Sequence, residues 1–146
     1  MIWAIVEKSG KFTIHHDDPK QFNSKVGASK VIWPIDRSPD VANGEQIDFD
    51  SGEIIFDRTQ VADHIVAEIK AKAGKKIVDA VPLWQQNNDL RELLRQLKES
   101  LPPVLAIEKR VLAIDKVRQW SDDLETQLSN ASNADDISKI RAKLAT

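Results

Sequence analysis

The spacing of hydrophobic and polar residues changes near residue 58. Before that point apolar side chains alternate with polar ones, which predicts strands, and after it they recur every three or four residues, which predicts helices. Four of the five glycines and three of the six prolines lie in the first part. The pattern therefore predicts an α+β fold, with a small antiparallel β domain over residues 1–58 followed by an amphipathic helical region over residues 59–146.

Two hairpins are predicted in the β part. The first turns at Ser9-Gly10, because glycine supplies the positive φ that a two-residue loop requires. This turn would pair Ile5 with Ile14. It would place four apolar side chains on one face of the sheet, namely Trp3, Ile5, Phe12 and Ile14.

The second predicted hairpin turns at Ser51-Gly52, which pairs Phe49 with Ile54 and Ile47 with Phe56 and turns the intervening aspartates away. A further strand near residues 30–36 contains Pro34, which makes it an edge strand or ends it. Residues 17–29 and 36–44 read as polar connections. Together these segments predict a small antiparallel sheet or open barrel of four or five strands.

The helical region is predicted to break near residues 74–82, 101–104 and 129–133. Thr59 is a possible N-cap of the first helix, whose apolar row is Val61, Ile65, Ile69 and Ala73. That helix either ends at Gly74 or continues through it at a cost of about 1 kcal/mol. Pro82 then forces a new start, and Ser132 or Asn133 caps the last short helix.

The second helix carries a row of leucines at alternating spacings of four and three residues. The row is Leu83, Asn87, Leu90, Leu94, Leu97 and Leu101. Such spacing is typical of a heptad seam with one polar member. Asn87 either reaches water at the edge of this row or is a buried polar residue that fixes register across a symmetric interface.

The third helix shows apolar residues at a period closer to 3.6, which favours packing against its neighbour as a helical hairpin, with an oligomeric bundle as a possible assembly. Trp84 and Trp120 lie on these two helices, and either core packing or a partner-binding role explains them. The candidate interface residues are Leu83, Trp84, Asn87, Leu90, Leu94, Leu97, Val111, Ile114, Trp120 and Leu124.

Composition and motifs indicate no catalytic chemistry. The 146-residue chain has no cysteine, which excludes disulfides and thiolate metal sites. Its net charge of −2 does not favour nucleic-acid binding. It has no apolar run near the roughly 20 residues that a membrane span needs. Its first residues lack the pattern of a signal peptide, so we expect a protein made in the cytoplasm. The "HHDD" stretch at His15 to Asp18 is the one ligand-type cluster, but neighbouring residues of a strand face opposite ways. We expect no metal, no cofactor and no enzymatic activity.

The segments "VPLWQQNNDLRELL" and "IDKVRQWSDDLE" resemble the C-terminal region of many tailed-bacteriophage virion proteins, in which a "VPLWKQ-N"-like helix precedes an "IDAIRAASDALE"-like helix. The matching residues are Val81, Pro82, Leu83, Trp84, Gln86 and Asn88, then Ile114, Asp115, Arg118, Ser121, Asp122, Leu124 and Glu125. The similarity spans about residues 77–128. The chain departs from it at Trp120, where a small residue is usual, and by the additional residues 129–146.

The resemblance implies a structural protein of the phage tail, at the baseplate, at a fibre attachment or at a hinge, which contacts copies of itself and other tail proteins. The protein would then be found in the virion and form a homo-oligomer. An alternative is a fibre assembly chaperone or small adaptor that does not stay in the particle. A third is a phage enzyme or regulator with a degenerate site.

Overall fold

A computed structural model describes residues 2–17 and 29–146 of the chain. Most of the predicted connection at 17–29, and Asp18 of the "HHDD" stretch, lie outside the described residues. The fold is α+β, with a small antiparallel β region followed by four helices. The strands are β1 (Ile2–Glu7), β2 (Phe12–His15), β3 (Lys30–Ile35), β4 (Glu45–Ile47) and β5 (Ile54–Phe56), and the helices are α1 (Thr59–Ala80), α2 (Leu83–Glu99), α3 (Leu105–Asn130) and α4 (Ala134–Leu144).

The chain forms two compact units. The first comprises residues 1–62 and 131–139, and the second comprises residues 63–130 and 140–146. In the first unit, β2, β1 and β3 form an antiparallel sheet in that order, and β4 and β5 form a two-stranded sheet. Pro34 thus lies in β3 at an edge of its sheet, as the sequence predicted, where its missing N–H removes no hydrogen bond from a central strand. One buried cluster of this unit comprises Ala4, Val6, Ile35 and Ile47.

The first hairpin has a longer loop than the sequence predicted. The Glu7 N–H donates to the Lys11 carbonyl at 2.7 Å and the Gly10 N–H donates to the Glu7 carbonyl at 2.9 Å, so residues 8–10 form the loop. Gly10 has a φ of 87°, as expected for the last position of a three-residue loop. One additional loop residue shifts the register by one, which moves every side chain of β1 to the other face.

The predicted face of β1 is therefore wrong. Ala4 pairs with Ile14 and Val6 pairs with Phe12, and it is Ala4 and Val6 that are buried. Ile5 pairs with Thr13 on the opposite face of the sheet.

The second hairpin also differs from its prediction, by two residues. Ile47 pairs with Ile54, and the Asp48 N–H donates to the Glu53 carbonyl at 2.9 Å, so residues 49–52 form a four-residue loop. A shift of two preserves the face of each side chain. Ile54 still packs on the core, and Phe49 reaches it from the loop.

Gly52 of this loop lies against the indole of Trp33. The indole N–H of Trp33 donates to the Phe49 carbonyl at 2.9 Å. Gly52 has a φ of 74°, and a methyl group added there would lie 2.5 Å from Trp33 Cδ2. Glycine is required at this position by both its backbone conformation and the close approach of the ring.

Helix α1 continues through Gly74, and the chain breaks only at residues 81–82. The predicted apolar row Val61, Ile65, Ile69 and Ala73 is buried. The side-chain acceptor at the start of the helix is Asp57, whose Oδ1 accepts the Thr59 N–H at 3.0 Å. The predicted capping role of Thr59 is therefore wrong: its own N–H is one of those capped.

Helix α2 ends at a defined capping residue, and helix α4 begins at one. Helix α2 follows Pro82 and ends at Ser100 in the left-handed conformation, with φ 52°. Helix α3 begins at Leu105, two residues earlier than the first apolar residue of its predicted row. Asn133 caps α4, because its Oδ1 accepts the Asp136 N–H at 2.9 Å, and the Asp136 carboxylate in turn accepts the Ser132 N–H at 3.0 Å.

Candidate protein-interaction surface on the second helix

The residues that α2 buries are polar. Within this helix only Asp89 and Gln96 are buried. Arg110 of α3 donates to both carboxylate oxygens of Asp89, through Nε at 2.6 Å and Nη2 at 2.7 Å, and Gln85 Nε2 donates to Asp89 Oδ1 at 2.9 Å. A bidentate pair of this kind fixes both distance and orientation between two helices.

The electrostatics of Asp89 agree with its geometry. The hydrogen bonds from Arg110 hold the pKa of the Asp89 carboxyl below its usual range, the bond from Gln85 acts in the same direction, and burial opposes them. The same pair raises the pKa of Arg110. Both groups are therefore charged at neutral pH, and the contact is an ion pair.

Helices α2 and α3 are antiparallel neighbours, as the hairpin prediction required. A groove of about 320 Å³ lies between them. The start of α2 faces the middle of α3 in this groove, and Leu93, further along α2, faces Ile107 near the start of α3 in an adjoining depression of about 390 Å³. The apolar lining residues of the groove are Leu90, Leu93, Val111 and Ile114.

The leucine row lies on the side of α2 away from the buried Asp89 and Gln96. We call Leu83, Asn87, Leu90, Leu94 and Leu97 the α2 seam; all five are exposed. At 100° per residue the centre of the seam lies about 130° around the helix from Asp89 and Gln96. Leu94 is 58% exposed and Leu97 is 81% exposed. Helix α2 thus buries only polar side chains and leaves its apolar row exposed, with Asn87 and Leu90 at the edge of the groove beside α3.

The remaining predicted interface residues do not all lie on this surface. Trp84 is 64% exposed, one position along the helix from the first seam residue. Val111 and Ile114 line the groove. Trp120 is half-buried, with Lys76 Nζ 5.0 Å from its ring centroid, and Leu124 is buried. Trp120 thus contacts α1 within the second unit, and neither Trp120 nor the buried Leu124 is part of the α2 surface.

The Asp89–Arg110 pair was missed at the level of sequence. The signal for it was a row of polar residues on the face of α2 opposite the leucines: Gln85, Asp89, Glu92 and Gln96. Such a row normally indicates a solvated face. Its long-range partner, Arg110, stands 21 residues away, and no local pattern connects the two.

The ligand-type cluster of the sequence, His15 to Asp18, is described only as far as Asp17. His15 Nε2 lies 3.1 Å from Thr13 Oγ1 at the end of β2. In the described ranges, 2–17 and 29–146, no three histidine, aspartate or glutamate side chains come together as metal ligands. The helices described here are also too short or too polar to cross a membrane.

Comparison with known proteins adds no family assignment. No protein-family model matches the chain, and neither a curated protein nor a solved structure matches it.

Proposed function

We propose that this chain is a structural component of a bacteriophage tail, at the baseplate, a fibre attachment or a hinge, and that it acts by self-association and protein contacts through the α2 seam. The observation that carries the proposal is the outward orientation of the seam, set by the inward Asp89–Arg110 pair. The resemblance of residues 77–128 to phage virion proteins supplies the biological setting. No catalytic step or cofactor is part of the proposal.

The exposed apolar surface of α2 favours burial against another protein. Full burial of a leucine side chain is worth about 1.5–3 kcal/mol. Leu83 is 62% exposed, and Leu90, Leu94 and Leu97 are exposed on the same stripe. Contiguous apolar surface of this kind on one helix marks a contact site for another protein.

A second copy of the chain is the partner that the seam fits best. A row at heptad spacing is complementary to an identical row, because each leucine inserts among residues of the facing helix. Contacts between identical surfaces close into a symmetric assembly. A tail built from repeated subunits uses such contacts.

The groove between α2 and α3 supports a second candidate function. It is lined by apolar side chains and edged by Asp115 and Arg118, so it suits an amphipathic segment of a different protein. A fibre assembly chaperone or adaptor would use the groove and leave the particle.

Two measurements test these proposals. Light scattering of the purified chain at tens of micromolar is expected to give an oligomer, and a strictly monomeric chain would contradict self-association. Mass spectrometry of purified particles of the phage that encodes the chain is expected to detect it. Its absence from mature particles, with the chain present in infected cells, would support the chaperone or adaptor instead.

A further inference from the structure

We propose that two copies of the chain pair their α2 seams in parallel and in register, so that Asn87 of one copy lies against Asn87 of the other. This inference rests on the self-association proposed above and specifies its geometry. An oligomer could also form with the α2 helices antiparallel, and the two orientations bring different residues together.

The seam spacing assigns its members to two alternating classes. The steps from Leu83 to Asn87 and from Leu90 to Leu94 are four residues, and the step from Asn87 to Leu90 is three. Leu83, Leu90 and Leu97 therefore occupy the d position of successive heptads. Asn87 and Leu94 occupy the a position.

Asn87 distinguishes the two orientations. In a parallel pair an a residue faces the a residue of the partner, and two asparagine amides can each donate to the other, because each carries a donor and an acceptor. In an antiparallel pair a faces d, so Asn87 would lie against a leucine and its amide would lose water without gaining a partner. Burial of an unpaired amide is unfavourable, so Asn87 favours the parallel pair.

The charges beside the seam favour the same orientation. Arg91 and Lys98 follow Leu90 and Leu97 directly and occupy the e position, whereas the preceding g positions hold Gln86 and Leu93. In a parallel pair e faces g of the partner, which places each cation beside an uncharged side chain. In an antiparallel pair e faces e, which brings Arg91 close to Arg91 of the other copy, and like charges oppose that arrangement.

The fold leaves the seam accessible for this pairing. Helix α3 contacts the polar side of α2 through Arg110, and two seam residues, Asn87 and Leu90, border the groove between the two helices. Both are exposed there, so the seam remains open to a second α2 that lies beside α3. Asn87 is exposed in the single chain, so pairing would bury its side chain without a change in the fold of the chain.

Cysteine cross-linking tests the orientation directly, because the chain has no cysteine of its own. Leu83→Cys and Leu97→Cys are made as separate variants, each in the full chain. In a parallel, in-register pair each variant faces itself. In an antiparallel pair, two copies of either cysteine would lie about 15 Å or more apart along the axis, beyond the roughly 7 Å between Cα atoms that a disulfide spans.

We expect each variant alone to form a disulfide dimer under mild oxidation. Asn88→Cys is the matched control, since residue 88 is exposed on the same helix but lies about 140° around it from Leu83. It is expected to form little dimer. Far-ultraviolet circular dichroism checks that all three variants keep the helical content of the parent chain.

The outcomes separate this inference from the function on which it rests. The two cysteine variants are also mixed with each other and treated with a short bismaleimide. If the parent chain associates but a cross-linked product forms only in this mixture, the parallel pairing is overturned and self-association stands. A monomeric parent chain would overturn both. Adding Asn87→Leu to each cysteine variant is expected to strengthen association several-fold and to allow the mixed product. An unchanged product distribution would show that Asn87 does not set the orientation.

Discussion

The double substitution Leu90→Asp with Leu94→Asp is expected to abolish association while leaving the monomer folded. The two leucines are 56% and 58% exposed in the single chain, and neither contributes a buried side chain to the core. Because about half of each side chain is already in water, about 1–1.5 kcal/mol of the 1.5–3 kcal/mol of full leucine burial is available to association. The substitutions therefore act mainly on the assembly.

The expected magnitude follows from the number of side chains involved. A pair of chains contains four of these leucines, so their loss removes about 4–6 kcal/mol from association. At 1.4 kcal/mol per tenfold, this raises the dissociation constant by roughly three to four orders of magnitude. Within the monomer, the lower helix propensity of aspartate costs about 0.5 kcal/mol for each substitution.

Sedimentation velocity over a range of concentrations measures this effect, with thermal unfolding followed in parallel. Leu112→Asp is the matched control, because Leu112 has a similar exposed fraction, 54%, but lies on α3. It is expected to keep the association of the parent chain. Leu97→Asp, at a residue that is 81% exposed, provides a second seam variant that scarcely affects the monomer.

Seam variants that associate as tightly as the parent chain would refute the role of the seam in association. Equal loss of association in the Leu112→Asp control would also count against it, because the contact would then not be specific to α2. A large fall in the melting temperature of the double variant would show that the leucines stabilise the monomer, and the Leu97→Asp measurement would then decide the question.

Three further predictions concern stability. Gly52→Ala is expected to destabilise the chain by about 1–3 kcal/mol more than Gly10→Ala in chemical denaturation, because both sites have positive φ but only an added methyl at residue 52 meets Trp33; equal losses would contradict the close approach. Gly74→Ala is expected to raise the free energy of unfolding by about 1 kcal/mol, since the residue lies inside α1 with open space around it; a loss of stability would contradict that. The pKa of Asp89 is lowered in the folded chain. Its contribution to the free energy of unfolding is therefore present above the unfolded pKa of about 3.9 and is lost as the pH falls through the folded pKa. The stability difference between the parent chain and Asp89→Asn should shrink in acid, and a difference independent of pH would refute this.

Loop length explains why the β part was predicted correctly as a class but not in register. Both hairpins were expected to turn through two residues ending in a glycine, and both glycines do adopt positive φ. The loops are longer, at residues 8–10 and 49–52. A sequence of the form Ser-Gly fits a two-residue turn and also the end of a longer loop. The choice depends on which face can be buried, and this depends on contacts far along the chain.

A register shift of one residue exchanges the two faces of a strand, whereas a shift of two residues preserves them. A shift of one in the first hairpin exchanged the faces of β1, so Ala4 and Val6 are buried in place of Trp3 and Ile5. A shift of two in the second hairpin left Ile47 and Ile54 in the core. The hydrophobic pattern of β1 could not resolve this, because nearly every residue of that strand is apolar and the alternation that would specify a face is absent.

Helix α2 shows what periodicity alone cannot decide. The leucine spacing identified an apolar face, and the structure has that face on the helix. The spacing does not show whether such a face packs against its own chain or against another protein, because both contacts require the same row of apolar residues. The orientation is set by the opposite face, where Arg110 binds Asp89 through two hydrogen bonds. A bidentate ion pair can be satisfied on one face of the helix only, so it fixes which face of α2 lies toward α3. The Asp89–Arg110 pair thus holds the opposite face of α2 toward its own chain. In the proposed assembly we expect the geometry to depend on Asn87, the one polar member of the leucine row.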